Sequence, residues 1–101
     1  MTKKIAVFSS GRGGNFNNLC EYFSNTENIS IDLLVTNNLD SMSKKIADKN
    51  KIEAVYAGAS ILQSDNLSST MKRKNIDLIV LAGFLLKIPK KLINQYEKKI
   101  I

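Results

Sequence analysis

The residues best placed to do chemistry are Ser9-Ser10-Gly11-Arg12-Gly13-Gly14-Asn15-Phe16. The glycines leave the backbone free to take left-handed angles and to approach a ligand with no Cβ in the way. The apolar run Ile5-Ala6-Val7-Phe8 precedes this stretch, and the apolar residues of Leu19-Cys20-Glu21-Tyr22-Phe23 follow it at helical spacing. A strand, a glycine-rich turn and a helix make the first unit of a doubly wound sheet. Such a helix directs its first unpaired N–H groups, and the positive end of its dipole, into the loop. That environment suits a phosphate. The plain alternative is a tight glycine turn with no ligand.

The dinucleotide fingerprint G-x-G-x-x-G would put its third glycine at position 16, where this chain has Phe16. That glycine permits close helix–strand packing around a pyrophosphate, so a bulky ring weakens the dinucleotide reading. A second strand, about Ile31 to Thr36, ends in Asn37-Asn38 and lacks an acid to hold a ribose 2′-OH; Asp40 reads as a helix cap. No Gly-Lys-Ser/Thr follows the glycines, which excludes a P-loop. A monophosphate is the better fit.

Strands and helices alternate along the rest of the chain. Asp40 or Ser41 can cap a helix with Met42, Ile46 and Ala47 on its apolar side, ending near Asn50. A short strand over Glu53 to Tyr56 leads into an interrupted helix from Ile61 to Lys74, with Leu67 and Met71 one turn apart. The most apolar strand, Ile76 to Ala82, does not alternate after Asp77 and is expected to be central and buried on both faces. Pro89 suits the first turn of a helix carrying Leu92, Ile93 and Tyr96, and Ile100-Ile101 reads as the start of another strand. The expected fold is α/β: a Rossmann-like doubly wound parallel sheet of about four strands with flanking helices, stopping before a fifth.

At 101 residues, 44% hydrophobic and 24% charged, the composition is that of one soluble domain, small for a doubly wound enzyme. Lys3 and Lys4 precede only four apolar residues, unlike a signal peptide, and no apolar run is long enough to span a membrane. The single cysteine, Cys20, falls on the apolar side of the first helix, so a buried inert thiol and a cytoplasmic location are expected. The net charge of +6 raises the question of nucleic acid, but the lysines are scattered over several segments with no interleaved aromatics. Solvated helix faces account for them, so neither nucleic acid nor membrane is expected as a partner, and no metal site is read.

Ligands of open α/β sheets bind beyond the carboxyl ends of the strands, where the strand order switches. The exits of the first and fourth strands, Gly11–Phe16 and Gly83–Ile88, should be neighbouring walls of one cleft. Phe84, Leu85, Leu86 and Ile88 offer an apolar wall for a flat heterocycle, or are ordinary core.

Together these residues carry a resemblance. The run Ile5 to Phe16, Val35-Thr36-Asn37-Asn38, and Ile76 to Phe84 with its Leu81-Ala82-Gly83-Phe84 resemble the amino-terminal half of the phosphoribosylglycinamide formyltransferase family, over essentially the whole chain (residues 1–101). That family moves a formyl group from 10-formyltetrahydrofolate to the amine of glycinamide ribonucleotide in purine synthesis. The resemblance implies that Gly13, Gly14 and Asn15, with Arg12, hold the substrate's phosphate. It implies that the backbone of Leu85, Leu86, Lys87 and Ile88 meets the pterin. The alternatives are a small non-enzymatic α/β phosphate-binding module and a formyltransferase acting on another amine.

The departures are specific. Many family members have Ser or Thr where Gly14 stands, which removes a hydroxyl donor, and Arg12 is the candidate to compensate. An arginine that some members use on the folate side has no counterpart between Ala57 and Met71. The family's Asn-Ile-His-Pro motif would begin just after Ile101, and its Asn, its His and a later Asp form the catalytic group. This chain has no histidine. It is therefore read as a fragment carrying the binding loops without catalytic residues. Self-association through an exposed sheet edge is expected.

Overall fold

The first strand is buried on both faces, and that sets the architecture. The structure, a computed structural model, describes residues 3–11, 14–24, 26–62, 65–84 and 86–101. Strand β1 (Lys3–Phe8) turns Ile5 and Val7 to one side and Ala6 and Phe8 to the other, all four buried. Successive side chains of a strand point to opposite faces, so a strand buried on both must be covered on both.

Helices α1 (Gly14–Phe23) and α2 (Met42–Lys49) cover the Ile5/Val7 face, with Phe16, Cys20 and Ala47 packed beside Leu34 of β2 (Ile29–Thr36). The other face is covered by α3 (Ala59–Leu62), α4 (Asp65–Arg73) and α5 (Lys90–Gln95). These bring Leu62, Leu67, Met71 and Leu92 onto Ala6, Phe8, Leu33 and Val35. With β3 (Glu53–Tyr56) and β4 (Leu78–Leu81), the strands form one parallel sheet in the order β3-β2-β1-β4. This is the expected doubly wound arrangement, and β1 and β4 are neighbours at the switch in strand order.

Three local expectations are corrected. The fourth strand is not fully buried: last in the four-stranded order, it has Leu78 and Val80 half-buried and Leu81 exposed. Its side chains nonetheless join both core clusters, Ile79 on one face of the sheet and Leu78 and Val80 on the other. Met42 is exposed, and the inward side of α2 is instead Ser43, Ile46 and Ala47, the i, i+3, i+4 stripe one residue further on. Pro89 precedes the first helical turn as the N-cap of α5, and Ile93 is exposed.

Beyond α5, Lys98 takes a left-handed backbone (φ 62°) and turns the chain back along β4. The Ile79 and Leu81 N–H groups donate to the carbonyls of Lys99 and Ile101, and Ile100 forms a parallel bridge with Ile79. The outer side of β4 is thus paired over these residues, a narrower bare edge than the apolar strand alone implied. Basic residues close two of the helices, Lys49 in the last turn of α2 and Lys72 and Arg73 in that of α4, where they complement the helix dipole. Among the described residues no helix is long and apolar enough to cross a membrane.

Candidate functional site

The carboxyl ends of β1, β2 and β4 converge through their backbones. After β1, the Ser9 N–H donates to the Val35 carbonyl (3.0 Å) and the Ser10 N–H to the Gly83 carbonyl (3.2 Å). The Ala82 N–H donates to the Phe8 carbonyl at 2.9 Å. The first loop is thereby held against the exit of β4, so the two loops singled out by sequence are adjacent walls. Phe84 packs edge-on against Phe8, with ring centroids 5.3 Å apart.

Gly14 is the first residue of α1, and both it and Asn15 are exposed, so helix-start N–H groups face solvent there. Arg12, Gly13 and Leu85 lie outside the described residues. Gly83 has a left-handed backbone (φ 76°), which its lack of Cβ makes easy. Gly11 and Gly14 do not, which corrects the expectation that left-handed angles require them. A Cβ at either would meet no atom within 4 Å. Packing does not demand glycine at these positions, so what the residue type secures is open space above the loop.

On the second wall Leu86 and Ile88 are half-buried and pack with Phe84 against the core cluster beneath, while Lys87 is exposed. Their side chains serve as core, as the plainer reading had it. A hollow of about 300 Å³ lined by Lys87, Ile88, Pro89 and Lys90 follows. The β2 exit contributes polar groups. Thr36 is fully buried, its Oγ1 accepting from the Asn38 N–H and donating to the Asn38 carbonyl, and Asn37 Oδ1 is buried with no partner among the described residues.

Sequence reasoning missed Ser43. Its hydroxyl, fully buried on α2, donates to the Gly11 carbonyl at 3.2 Å and lies 2.9 Å from Ser9 Oγ, which is also buried. The signal was available: Ser43 stands one helical turn before Ala47 on the inward stripe, where a serine is out of place unless its hydroxyl has a partner.

Among the described residues no cluster of His, Cys, Asp or Glu could hold a metal. Cys20 is free and buried. Burial first, and the neighbouring Glu21 carboxylate second, push its thiol above the ordinary value. With a raised folded-state pKa, the neutral thiol's contribution to stability is complete below the unfolded pKa and fades as pH rises through the folded one. Iodoacetamide labelling of native protein at pH 8 is expected to be at least about tenfold slower than in denaturant. Equal rates would show a reactive thiol.

An open parallel sheet with the loops after β1 and β4 bonded together defines a Rossmann-like α/β domain. Residues 3–101 match the formyl transferase family, and the chain belongs to it. It is 36% identical over 106 aligned residues to the chloroplastic phosphoribosylglycinamide formyltransferase of Arabidopsis thaliana, covering 98% of this chain and 36% of that protein. Among solved structures, glycinamide ribonucleotide transformylase 1 of Geobacillus kaustophilus superposes with a TM-score of 0.89 at 26% identity, over 99% of this chain and 56% of that one. The phosphoribosylglycinamide formyltransferase of Anaplasma phagocytophilum gives 0.87 at 27%, over 99% and 48%. The chain thus spans about a third to a half of the length of these relatives.

Proposed function

We propose that this chain is the substrate-binding part of a phosphoribosylglycinamide formyltransferase, which moves a formyl group from 10-formyltetrahydrofolate to the amine of glycinamide ribonucleotide. The observation that carries the reading is the Ser10–Gly83 hydrogen bond, which holds the glycine loop beside the Phe84–Ile88 wall. Family membership and the names of the relatives support it over a non-enzymatic module and over another acceptor amine. The ribonucleotide phosphate sits at the start of α1, on the backbone N–H groups of Gly13, Gly14 and Asn15 with Arg12 beside them. The pterin lies on the backbone of Leu85, Leu86, Lys87 and Ile88. The inward packing of Leu86 and Ile88 leaves main-chain groups as the recognition surface. A cytoplasmic location goes with this reading, supported by a free cysteine of the kind reducing compartments keep.

Calorimetric titration with glycinamide ribonucleotide tests the phosphate assignment. Gly13→Val, which adds a branched side chain beside the proposed anion, is expected to abolish binding. Gly14→Ser is expected to bind at least as tightly as the parent, because its Cβ meets no protein atom and its hydroxyl adds a donor. Undiminished affinity in Gly13→Val would reject the assignment.

A further inference from the structure

We propose that Ser43 of α2 is a positioning residue for the phosphate loop, fixing the Gly11 carbonyl at its start from behind. The inference deepens the proposed function and rests on it. Each serine hydroxyl has one proton. Since Ser43 Oγ donates to the Gly11 carbonyl, the proton between the two hydroxyls belongs to Ser9, which donates to Ser43 Oγ. The result is a directed chain, from Ser9 to Ser43 to the Gly11 carbonyl, in which each bond polarises the next.

Both hydroxyls are buried, Ser9 to 1% exposure and Ser43 to 0%, so water does not compete for this chain. Gly11 itself is exposed, with nothing within 4 Å of where its Cβ would be. It therefore has no side-chain packing to fix it. The Ser10 N–H anchors one side of Gly11 to Gly83, and Ser43 anchors its carbonyl to a helix whose own N-terminus is capped by Ser41. An anion held by several main-chain N–H groups needs them aimed together beforehand; a loose loop must be ordered at the moment of binding. Ser43 does that ordering in advance. The contribution of α2 to the site is the grip on Gly11, with no contact to the ligand.

The test uses the full 101-residue chain with inorganic phosphate as the probe, followed by amide chemical shifts, with chloride as the control anion. Ser43→Ala is expected to weaken phosphate binding about tenfold, the worth of one buried hydrogen bond. Amide exchange at Gly11 and Gly14 should speed up, and the melting temperature should fall by a few degrees, alanine's helix preference offsetting only part of the lost hydrogen bonds. Ser9→Ala leaves the Ser43–Gly11 bond in place and is expected to cost less than about threefold. Ser43→Cys, which keeps the shape with a weaker donor, should fall in the same direction as Ser43→Ala and serves if the alanine variant does not fold.

Phosphate binding by Ser43→Ala equal to the parent's would overturn the inference and leave the phosphate assignment standing. Equal losses of phosphate binding in Ser9→Ala and Ser43→Ala, without faster amide exchange at Gly11 in the latter alone, would reduce Ser43 to a packing role and overturn it as well. A parent chain that shows no phosphate-specific shifts would remove the phosphate assignment and the inference together.

Discussion

Phe16→Gly, which completes the dinucleotide fingerprint on paper, is expected to destabilise the domain severely without conferring dinucleotide binding. Phe16 is fully buried and packs with Ile5, Val7, Cys20, Leu34, Ala47 and Ala82, in the seam between α1 and the sheet. Removing a buried phenyl ring costs about 3–5 kcal/mol through lost transfer energy and the cavity left behind. Glycine adds a further fraction of its helix penalty of about 1 kcal/mol near the start of α1. Against a typical domain stability of about 5–15 kcal/mol, that is much of the total. A loss of about 4 kcal/mol lowers the melting temperature of a domain this size by at least about 15 °C. Phe16→Leu, closer in volume, should lose considerably less. Thermal melts of both variants and a titration with NAD provide the check. A melting temperature for Phe16→Gly within a few degrees of the parent would mean that the ring is not the seam's filler.

That position shows what the sequence made legible. Phe16 was informative because a motif requires glycine there, and the buried ring explains physically why the motif fails. The alternation of Ile5-Ala6-Val7-Phe8 between two apolar sides, with helical spacing in each intervening segment, was enough for a doubly wound sheet. The adjacency of the two loops followed from the usual strand order of that fold, and the Ser10–Gly83 bond realises it. What was not legible was lateral position and the direction of polar side chains. An apolar run does not say which strands flank it, so the place of β4 last in the four-stranded order, beside the Lys99–Ile101 pairing, could be read only from the structure. Ser43 was hidden because a serine beside Ser41 reads as helix-start polarity. Its inward direction follows from the phase of α2, which a choice between Met42 and Ser43 at the first turn decides. Gly11 and Gly14 read as conformational glycines, whereas the structure gives them ordinary angles and open space.

The second large effect is on turnover: a purified 101-residue polypeptide of this sequence is expected not to transfer formyl groups. Attack of an amine on a formyl carbon builds negative charge on oxygen and requires a proton to be moved, so placed donors and an acid–base group are both needed. The described residues at the ligand pole offer hydroxyls and amides (Ser9, Ser10, Asn15, Thr36, Asn37) and the exposed amine of Lys87. The groups with raised pKa values lie elsewhere. Cys20 lines a hollow with Ile29 and Ile31 at the entry of β2, at the opposite pole. Tyr96 is raised by burial first and by Asp77 second, and Asp77 sits before β4, where its carboxylate accepts from the Lys4 N–H. Neither can reach a reaction at the loops. On the proposed function the two loops supply proximity, and a site without an acid–base group and charge-stabilising donors is expected to be slower by about 10⁴-fold or more. By the family resemblance, the Asn, His and Asp that supply them belong to a segment opening with Asn-Ile-His-Pro. Mixing the chain with a polypeptide carrying that segment is expected to restore turnover, with further strands extending the pairing that Lys99 to Ile101 begins beside β4. The assay follows formylglycinamide ribonucleotide made from 10-formyltetrahydrofolate and glycinamide ribonucleotide, for each polypeptide alone and for the two together. Product formation by the 101-residue chain alone, well above a buffer blank, would place the catalytic group within this chain and overturn this division of labour.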